Sequence, residues 1–405
     1  YRRLPEGALG EDRSSAVPLA PEIVHVNLGK ANPRRMNGVN RVVHGLAKSQ
    51  QRTGPVEVWG LCHEPDAPTP PRNYGLRTFP RYQRRSKLAP GLLGELDSMA
   101  KWPRSERPVF HLHGSFLPEM ASLAKALHRR GLEFVFTPHG AYVPGALHKH
   151  RLLKTLYARC IESRWVRHAK AMQALSEEER EALQHWFPGV PVVCIAPGQD
   201  PANHPKAATT HAGRSLRLGS LGRLDSHTKG LDLLLEGLAR FVQGGGAAHW
   251  TLAGDGPDRQ ALQGQVERLG LSKHVTFAGE IYGAQKQEFF QELDLYVQVS
   301  RHEGLPGAPL EAAAQGIPLL VSTHTHLGPA VHEHQAGIVL EDVHPGSIAA
   351  ALESLAAQSD EAWTRQGLGA YAMIQSEFAW SSRTQAMRQA LYGLPPRSEV
   401  VRIAA

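Results

Sequence analysis

Short apolar runs alternate along the chain with stretches of helical period. Ile23-Val24-His25-Val26-Asn27-Leu28, ended by Gly29, reads as a buried strand followed by a loop that Asn37-Gly38 closes. From Val39 to Gln51, apolar residues stand at Val39, Val42, Val43, Leu46 and Ala47, which is helical spacing. Val56 to Cys62, Val109 to His113, Phe134 to Thr137, Ala171 to Leu175 and Val192 to Ala196 read as further strands with helical stretches between them. Ser176 with Glu179 three residues on is the pattern of a capping box.

Pro201 to Ser215 is polar, holds two prolines and has no period. The alternation then restarts. Strands are expected at Leu216 to Leu221, His249 to Ala253, Val275 to Phe277, Leu295 to Ser300, Leu319 to Ser322 and Ile338 to Leu340, with helices over Gly230 to Gln243 and Gln260 to Gly270. Strands alternating with helices imply parallel sheets covered on both faces. The expected fold class is therefore α/β, with two Rossmann-like domains facing across a cleft and a hinge near 201–215. The expected division is an arm over 1–20, a first domain over 21–200, a second over 201–378, and a segment 379–405 whose helix, Trp380 to Leu394, returns to the first domain. Ligands of such sheets bind beyond the carboxyl ends of the strands, which points to the cleft.

A chain of 405 residues fits two domains of about 200 each. With 41% hydrophobic and 20% charged residues it can bury two cores and is no disordered polymer. No run approaches ~18 apolar residues, the length a membrane-spanning helix needs. No secretory pattern opens the sequence. The three cysteines, Cys62, Cys160 and Cys194, form no Cys-x-x-Cys, which excludes a disulfide scaffold and suits a reducing cytosol. Charge is uneven: residues 1–200 carry 29 Lys/Arg against 18 Asp/Glu, and residues 201–405 carry 16 against 20. The basic half is expected to meet an anionic partner.

Four constellations at strand ends carry chemistry. In Gly222-Arg223-Leu224-Asp225…Lys229-Gly230 two cations flank a helix start, which suits a diphosphate. Gly254-Asp255-Gly256 follows the next strand, where a bare backbone admits a flat ring, and Ile281-Tyr282 lie alongside. Glu303-Gly304 and Pro309-Leu310-Glu311 set two carboxylates either side of a Gly/Pro loop, with Glu311 expected in the first turn of a helix; the pair could accept hydroxyl hydrogen bonds or Glu311 could complement the helix dipole. His113-Gly114 and His139-Gly140 end successive strands and are expected to face the cleft. His-x-His pairs at 111/113, 148/150, 324/326 and 332/334 have no third ligand at standard spacing, so no metal is assigned. The chain has no Asp-x-Asp for a metal–diphosphate complex, and Arg223 and Lys229 could replace such a metal. The basic run Arg81-Tyr82-Gln83-Arg84-Arg85 comes without any nucleic-acid-binding signature.

Taken in order, Gly222-Arg223…Lys229-Gly230, Ala253-Gly254-Asp255-Gly256, Ser300…Glu303-Gly304…Glu311-Ala312 and Gly316-Ile317-Pro318 resemble the retaining glycosyltransferases of the GT-B fold, family four. Pro138-His139-Gly140, Arg151…Lys154…Tyr157, Ser176…Glu179 and Pro197-Gly198 resemble the same family, especially its bacterial surface-polysaccharide members. The resemblance spans about residues 22–392. It implies a nucleotide-sugar donor, UDP favoured over GDP, a glycan or lipid-linked acceptor, no cofactor and no metal. The cysteine usage suits the cytoplasm, the basic first half is expected to meet the anionic inner face of the plasma membrane, and no nucleic-acid partner is expected. Arg223 and Lys229 would bind the donor diphosphate, Glu303 the sugar hydroxyls, Glu311 the ribose, and His139 would sit by the reacting sugar. Gly38, Gly222, Gly254, Asp255, Gly256, Ile281, Tyr282, Gly304, Pro309 and Leu310 would line the donor site. Asn37, His113, Arg84 and Arg85 would meet the acceptor. Two departures stand out: Asn37 precedes Gly38 where the family often has a second glycine, and Leu305-Pro306-Gly307 replaces a frequent aromatic. A GT-B epimerase acting on donor alone, a transferase with a soluble sugar acceptor, and a non-catalytic nucleotide- or RNA-binding scaffold are the alternatives.

Overall fold

The computed structural model describes residues 20–28, 38–62, 73–80, 86–147, 151–206, 214–303 and 305–397. Asn37, Arg84, Arg85 and Gly304 lie outside them. Among the described residues, thirteen strands form two sheets, and every strand pairing is parallel. The first sheet holds β1 (Ile23–Val26), β2 (Val56–Cys62), β3 (Gly75–Pro80), β4 (Val109–His113), β5 (Phe134–Thr137), β6 (Met172–Ala174) and β7 (Val192–Cys194) in the order 3-2-1-4-5-6-7. The second holds β8 (Leu216–Leu221), β9 (Ala248–Ala253), β10 (Val275–Gly279), β11 (Leu295–Gln298), β12 (Leu319–Ser322) and β13 (Gly337–Leu340) in the order 10-9-8-11-12-13. The chain is α/β with two Rossmann-like sheets, and the order reverses direction at β1/β4 and at β8/β11. Those reversals are where open α/β sheets leave a crevice for ligands.

The strands expected from apolar runs are present, several trimmed by one or two residues: the run from Ile23 ends as a strand at Val26. β3 was not expected. It is an edge strand, half-exposed and without an apolar run, and its Arg77 reaches Glu57 at 3.1 Å and Glu95 at 2.8 Å. The helices Gly38–Gln50 and Leu231–Gln243 follow their expected periods, the second burying Leu234, Leu235, Leu238 and Phe241.

The chain passes from one sheet to the other near residue 200 and returns near residue 378. The two crossings lie side by side, with the Gln199 N–H donating to the Phe378 carbonyl at 2.7 Å. Beyond the return, helix Trp380–Ala386 and the turn Met387–Leu391 pack on the first sheet, where Trp380, Met387, Leu391 and Tyr392 share a core with Ile23, Val43 and Val58. Trp380 is wedged between two glycines. A Cβ at Gly45 would come within 2.5 Å of its ring and one at Gly198 within 2.4 Å.

Two turns at the carboxyl edge of the first sheet are held by buried carboxylates. Phe116 adopts a left-handed φ of 59°, and its N–H donates to Glu162 Oε1 at 2.7 Å while Tyr142 donates its hydroxyl to Oε2. Burial pushes the fully enclosed Glu162 carboxyl up to about 7, against the opposing pull of the Phe116 N–H. His139 and Gly140 are also left-handed, and the Gly140 N–H donates to Glu179. The capping box is half formed: Ser176 Oγ accepts from the Glu179 N–H at 3.2 Å, but the Glu179 carboxylate takes the N–H of Leu175 and not that of Ser176.

Trp380→Ala should destabilise the chain by about 3–5 kcal/mol, because neither glycine can fill the slot; urea unfolding measures this. Glu162 yields a pH signature. Its folded pKa lies above the unfolded value of 4.5, so its contribution is fully present below that value and is lost as pH rises through about 7. A shift of that size corresponds to up to about 3 kcal/mol. Glu162→Gln should therefore gain stability over the parent chain at pH 8 and lose most of that advantage at pH 5, as read from urea midpoints.

Candidate functional site

In the second sheet the carboxyl-end loops are interlocked by glycines. A Cβ on Gly254 (φ 127°) would lie 1.9 Å from the Gly222 carbonyl oxygen, and one on Gly256 would lie 2.3 Å from that of Leu224. Glycine is required here for one loop to lie on the next, a role the sequence did not disclose beside the approach of a flat ring. Asp225 caps the short helix Ser226–Lys229 by accepting from Thr228 at 3.2 Å, and Gly230 (φ 64°) turns the chain into Leu231–Gln243. A Cβ on Gly230 would stand 2.3 Å from the Val299 carbonyl oxygen.

This turn aims Lys229 at Glu303. The ammonium donates to Glu303 Oε1, which also accepts from Gln298 Nε2 at 3.0 Å and Ser300 Oγ at 3.2 Å. Arg223 is exposed and lines the same recess as Gly222 and Lys229. Glu311 lies in the second turn of helix Gly307–Ala313, not in the first, so the helix dipole is not its partner. It pairs with Lys286 of helix Gly283–Glu292 and, at 3.5 Å, with Arg41 of helix Gly38–Gln50, across the cleft. Burial lowers the Lys286 ammonium, opposed by the Glu311 charge. Pro309 and Leu310 are buried, which leaves only their backbone to meet a ligand. Asp255 takes its own loop's Gly256 N–H and stands 3.7 Å from Arg259, Ile281 packs on the core, and Tyr282 is exposed. Gly38 opens its helix.

A cavity of about 570 Å³ lies between the halves, lined by His139, Gly140, Val143, Leu175, Glu178 and Glu179 from the first and by His227, Thr228, His302, Glu303 and Leu305 from the second. His139 and Glu303 thus share one space, with Lys229 attached to Glu303. His113 does not reach it, which corrects its expected place at the acceptor. It is 1% exposed behind His139, with Nδ1 3.0 Å from His139 Nε2 and Nε2 3.0 Å from His25 Nδ1. Likewise His111 is fully buried and does not face the cleft.

Burial lowers all four imidazoles: His25 and His139 to about 4, and His111 and His113 well below the ordinary value. All four are neutral at pH 7. His25, His111 and His113 stand close enough to hold a metal ion. Their six ring nitrogens, however, are each engaged by another group: Gln50, His113, His25, His139, Tyr392 and Thr137. A metal would have to break that network. Sequence reasoning missed Arg41, Lys286 and His25. Only His25 left a signal, a polar residue inside an otherwise apolar run.

The family described as Glycosyltransferase Family 4 matches residues 36–203, and that described as Glycosyl transferases group 1 matches residues 215–358. Glycogen synthase of Mycobacterium tuberculosis is 26% identical over 253 residues, which is 62% of this chain and 59% of that protein. EpsF of Bacillus subtilis, a putative glycosyltransferase by name, is 27% identical over 52% of this chain and 56% of its own length. The lipopolysaccharide core biosynthesis glycosyltransferase LpsE of Rhizobium meliloti is 31% identical over 44% of this chain and 49% of its own. The chain thus spans less than two thirds of these relatives. Among solved structures, Anabaena HepE in complex with UDP and glucose superposes with a TM-score of 0.68 at 16% identity, covering 92% of this chain and all of that one. Sucrose-phosphate synthase of Thermosynechococcus elongatus does so with a TM-score of 0.69 at 17% identity, covering 92% of this chain and 98% of that one. With matches running from residue 36 to residue 358 and the two-sheet architecture in common, the chain belongs to the GT-B glycosyltransferases of the family 4 type.

Proposed function

We propose that the chain is a retaining, metal-independent glycosyltransferase. It moves a sugar from a nucleoside diphosphate, UDP before GDP, to a glycan or lipid-linked acceptor of a bacterial surface polysaccharide. The observation that carries this reading is the facing of His139 and the Lys229–Glu303 pair across a cavity lined by both halves. UDP is supported by the UDP complexes of HepE, and the polysaccharide role by the name of LpsE. In this reading residues 21–200 receive the acceptor, residues 201–378 hold the donor, and the segment from 379 completes the first domain.

Breaking the anomeric C–O bond leaves negative charge on the diphosphate and positive charge on the sugar ring. Lys229, held by Glu303, and the exposed Arg223 are the cations that meet that negative charge. An ammonium has three donors, so Lys229 can keep Glu303 and still meet a phosphate oxygen. Glu303, steadied by Gln298 and Ser300, accepts from sugar hydroxyls, and His139 faces the sugar from the opposite wall. Glu311, already holding Arg41 and Lys286, offers its carboxylate to the ribose. The acceptor hydroxyl adds to the anomeric carbon on the face the diphosphate leaves, and its proton passes to the departing phosphate oxygen, which retains configuration.

Membrane contact rests on helix Arg151–Tyr157, where Leu152 is 85%, Leu153 70% and Leu156 61% exposed. Lys125, Arg129, Arg164 and Arg167 line a basic recess on the same half. Exposed apolar residues and cations on one half suit an anionic lipid surface. Among the described residues, no helix is long and apolar enough to cross a membrane.

UDP at ~100 times its Kd should raise stability by about 2.7 kcal/mol without metal, and a thermal-shift panel of UDP, GDP and ADP reads this directly. Lys229→Ala should cut kcat by roughly 10²–10³-fold with the fold retained; unchanged turnover would remove the clamp. The chain should also float with phosphatidylglycerol vesicles at low salt but not with phosphatidylcholine, and Leu153→Ser should weaken that binding. Equal binding to both vesicles would end the membrane reading.

A further inference from the structure

Behind His139 a single line of hydrogen bonds runs through the first sheet. Its far end is the main-chain carbonyl of Ile195, a group that can only accept. Gln173 must therefore give Ile195 its amide nitrogen (2.7 Å) and turn its oxygen to Thr137 (2.8 Å). That oxygen has no proton, so the Thr137 hydroxyl donates to it. The hydroxyl's single proton is then spent, and it accepts from His111 Nε2 at 2.6 Å. A neutral imidazole carries one proton, so His111 Nδ1 is a bare lone pair, to which Tyr392 donates at 2.8 Å. Tyr392 in turn accepts from Gln50 Nε2 at 3.1 Å. The same nitrogen also stands 3.7 Å from Met387 Sδ, a weak acceptor that favours this orientation but does not hold the amide without Tyr392. Gln50 Oε1 now faces His25 Nε2 at 2.8 Å, so His25 carries its proton there. His25 Nδ1 accepts from His113 Nε2, and His113 Nδ1 accepts from His139 Nε2, each at 3.0 Å.

We propose that the Ile195 carbonyl, acting through the seven side chains between, fixes His139 in its Nε2–H tautomer, so that His139 meets the cavity through Nδ1 as a hydrogen-bond acceptor only. Gln173, Thr137, His111, Tyr392, Gln50, His25 and His113 are positioning residues, since none but His139 lines the cavity. Every link has one allowed direction, and reversing any of them sets two donors or two lone pairs against each other in a buried place. The low proton affinity of the four imidazoles keeps each at one proton, which the line requires. Resting on the donor reading above, the consequence is selective: the sugar group facing His139 must donate. A hydroxyl satisfies this; fluorine or an ether oxygen does not.

The test is ring ¹⁵N–¹H two-bond spectroscopy of histidine-labelled full-length protein at pH 7.5, with peaks assigned by single His→Gln variants. It needs no substrate. In the parent chain His25, His111, His113 and His139 should all show the Nε2–H pattern. Tyr392→Phe cuts the line in its middle. His111, still tied to Thr137, should keep Nε2–H, while His25, His113 and His139 become mixtures of tautomers. Thr137→Val should release His111 as well. A histidine set that was only a packed cluster would not sort itself by position along the line. A charged or Nδ1–H His139 in the parent chain, or a single unchanged His139 tautomer in both variants, overturns the proposal. A second arm compares kcat/KM for UDP-glucose with its monodeoxyfluoro analogues. Tyr392→Phe should narrow the preference for hydroxyl over fluorine at one ring position several-fold, and an unchanged ratio overturns the selectivity. Failure of the parent chain to use UDP-glucose would overturn that donor while the spectra still judge the line.

Discussion

Everything at the cleft depends on a constraint of direction. Within each sheet all strands run parallel, so every carboxyl end, with the loop that follows it, emerges on one edge. Residues far apart in sequence are thereby gathered at one place: Arg223 after β8, Glu303 after β11 and His139 after β5. Gly222 against Gly254, Leu224 against Gly256 and Val299 against Gly230 then lock the loops of the second sheet at main-chain contact. The side chains of the cleft are held by scaffold on both sides, as a preorganised charge arrangement requires.

The charges at this edge are already matched. Glu303 holds Lys229, and Glu311 holds Lys286 and Arg41. Each carboxylate is offset by a cation, and each cation retains hydrogen-bonding capacity for a phosphate. The Arg41–Glu311 pair and the 3.2 Å contact of Glu178 with His326 join the two halves, so the charges that would meet a nucleotide also bear on how far the cleft opens.

Much of the fold was legible because strands covered on both faces read as unbroken apolar runs. β3 was not, since a half-exposed edge strand need not be apolar. The candidate carboxylates and cations could be found because each follows a strand within a few residues. Their partners could not: Arg41 and Lys286 are unremarkable helix positions, and only the folded chain sets them at Glu311. His113 was misplaced for a related reason. A strand alternates its faces, so a histidine at the last strand position points into the layer or out to the cleft according to register, which His139, at the next strand end, resolves. The line from His139 to Ile195 joins positions such as 25, 111, 137 and 392, and no local pattern records it. Glu311 was read as opening its helix, which in fact begins at Gly307.

The return of the chain at Trp380 has a consequence for how the molecule is made. Trp380, Met387, Leu391 and Tyr392 finish the core of a sheet whose strands end at Cys194. On a ribosome adding about 5–20 residues per second, roughly 10–40 s separate the first sheet from the residues that close it. Through that interval Gly45 and Gly198 face an empty slot, and Gln50 and His111 await the hydroxyl that joins them. The first half therefore emerges first but is completed last, after the whole second sheet.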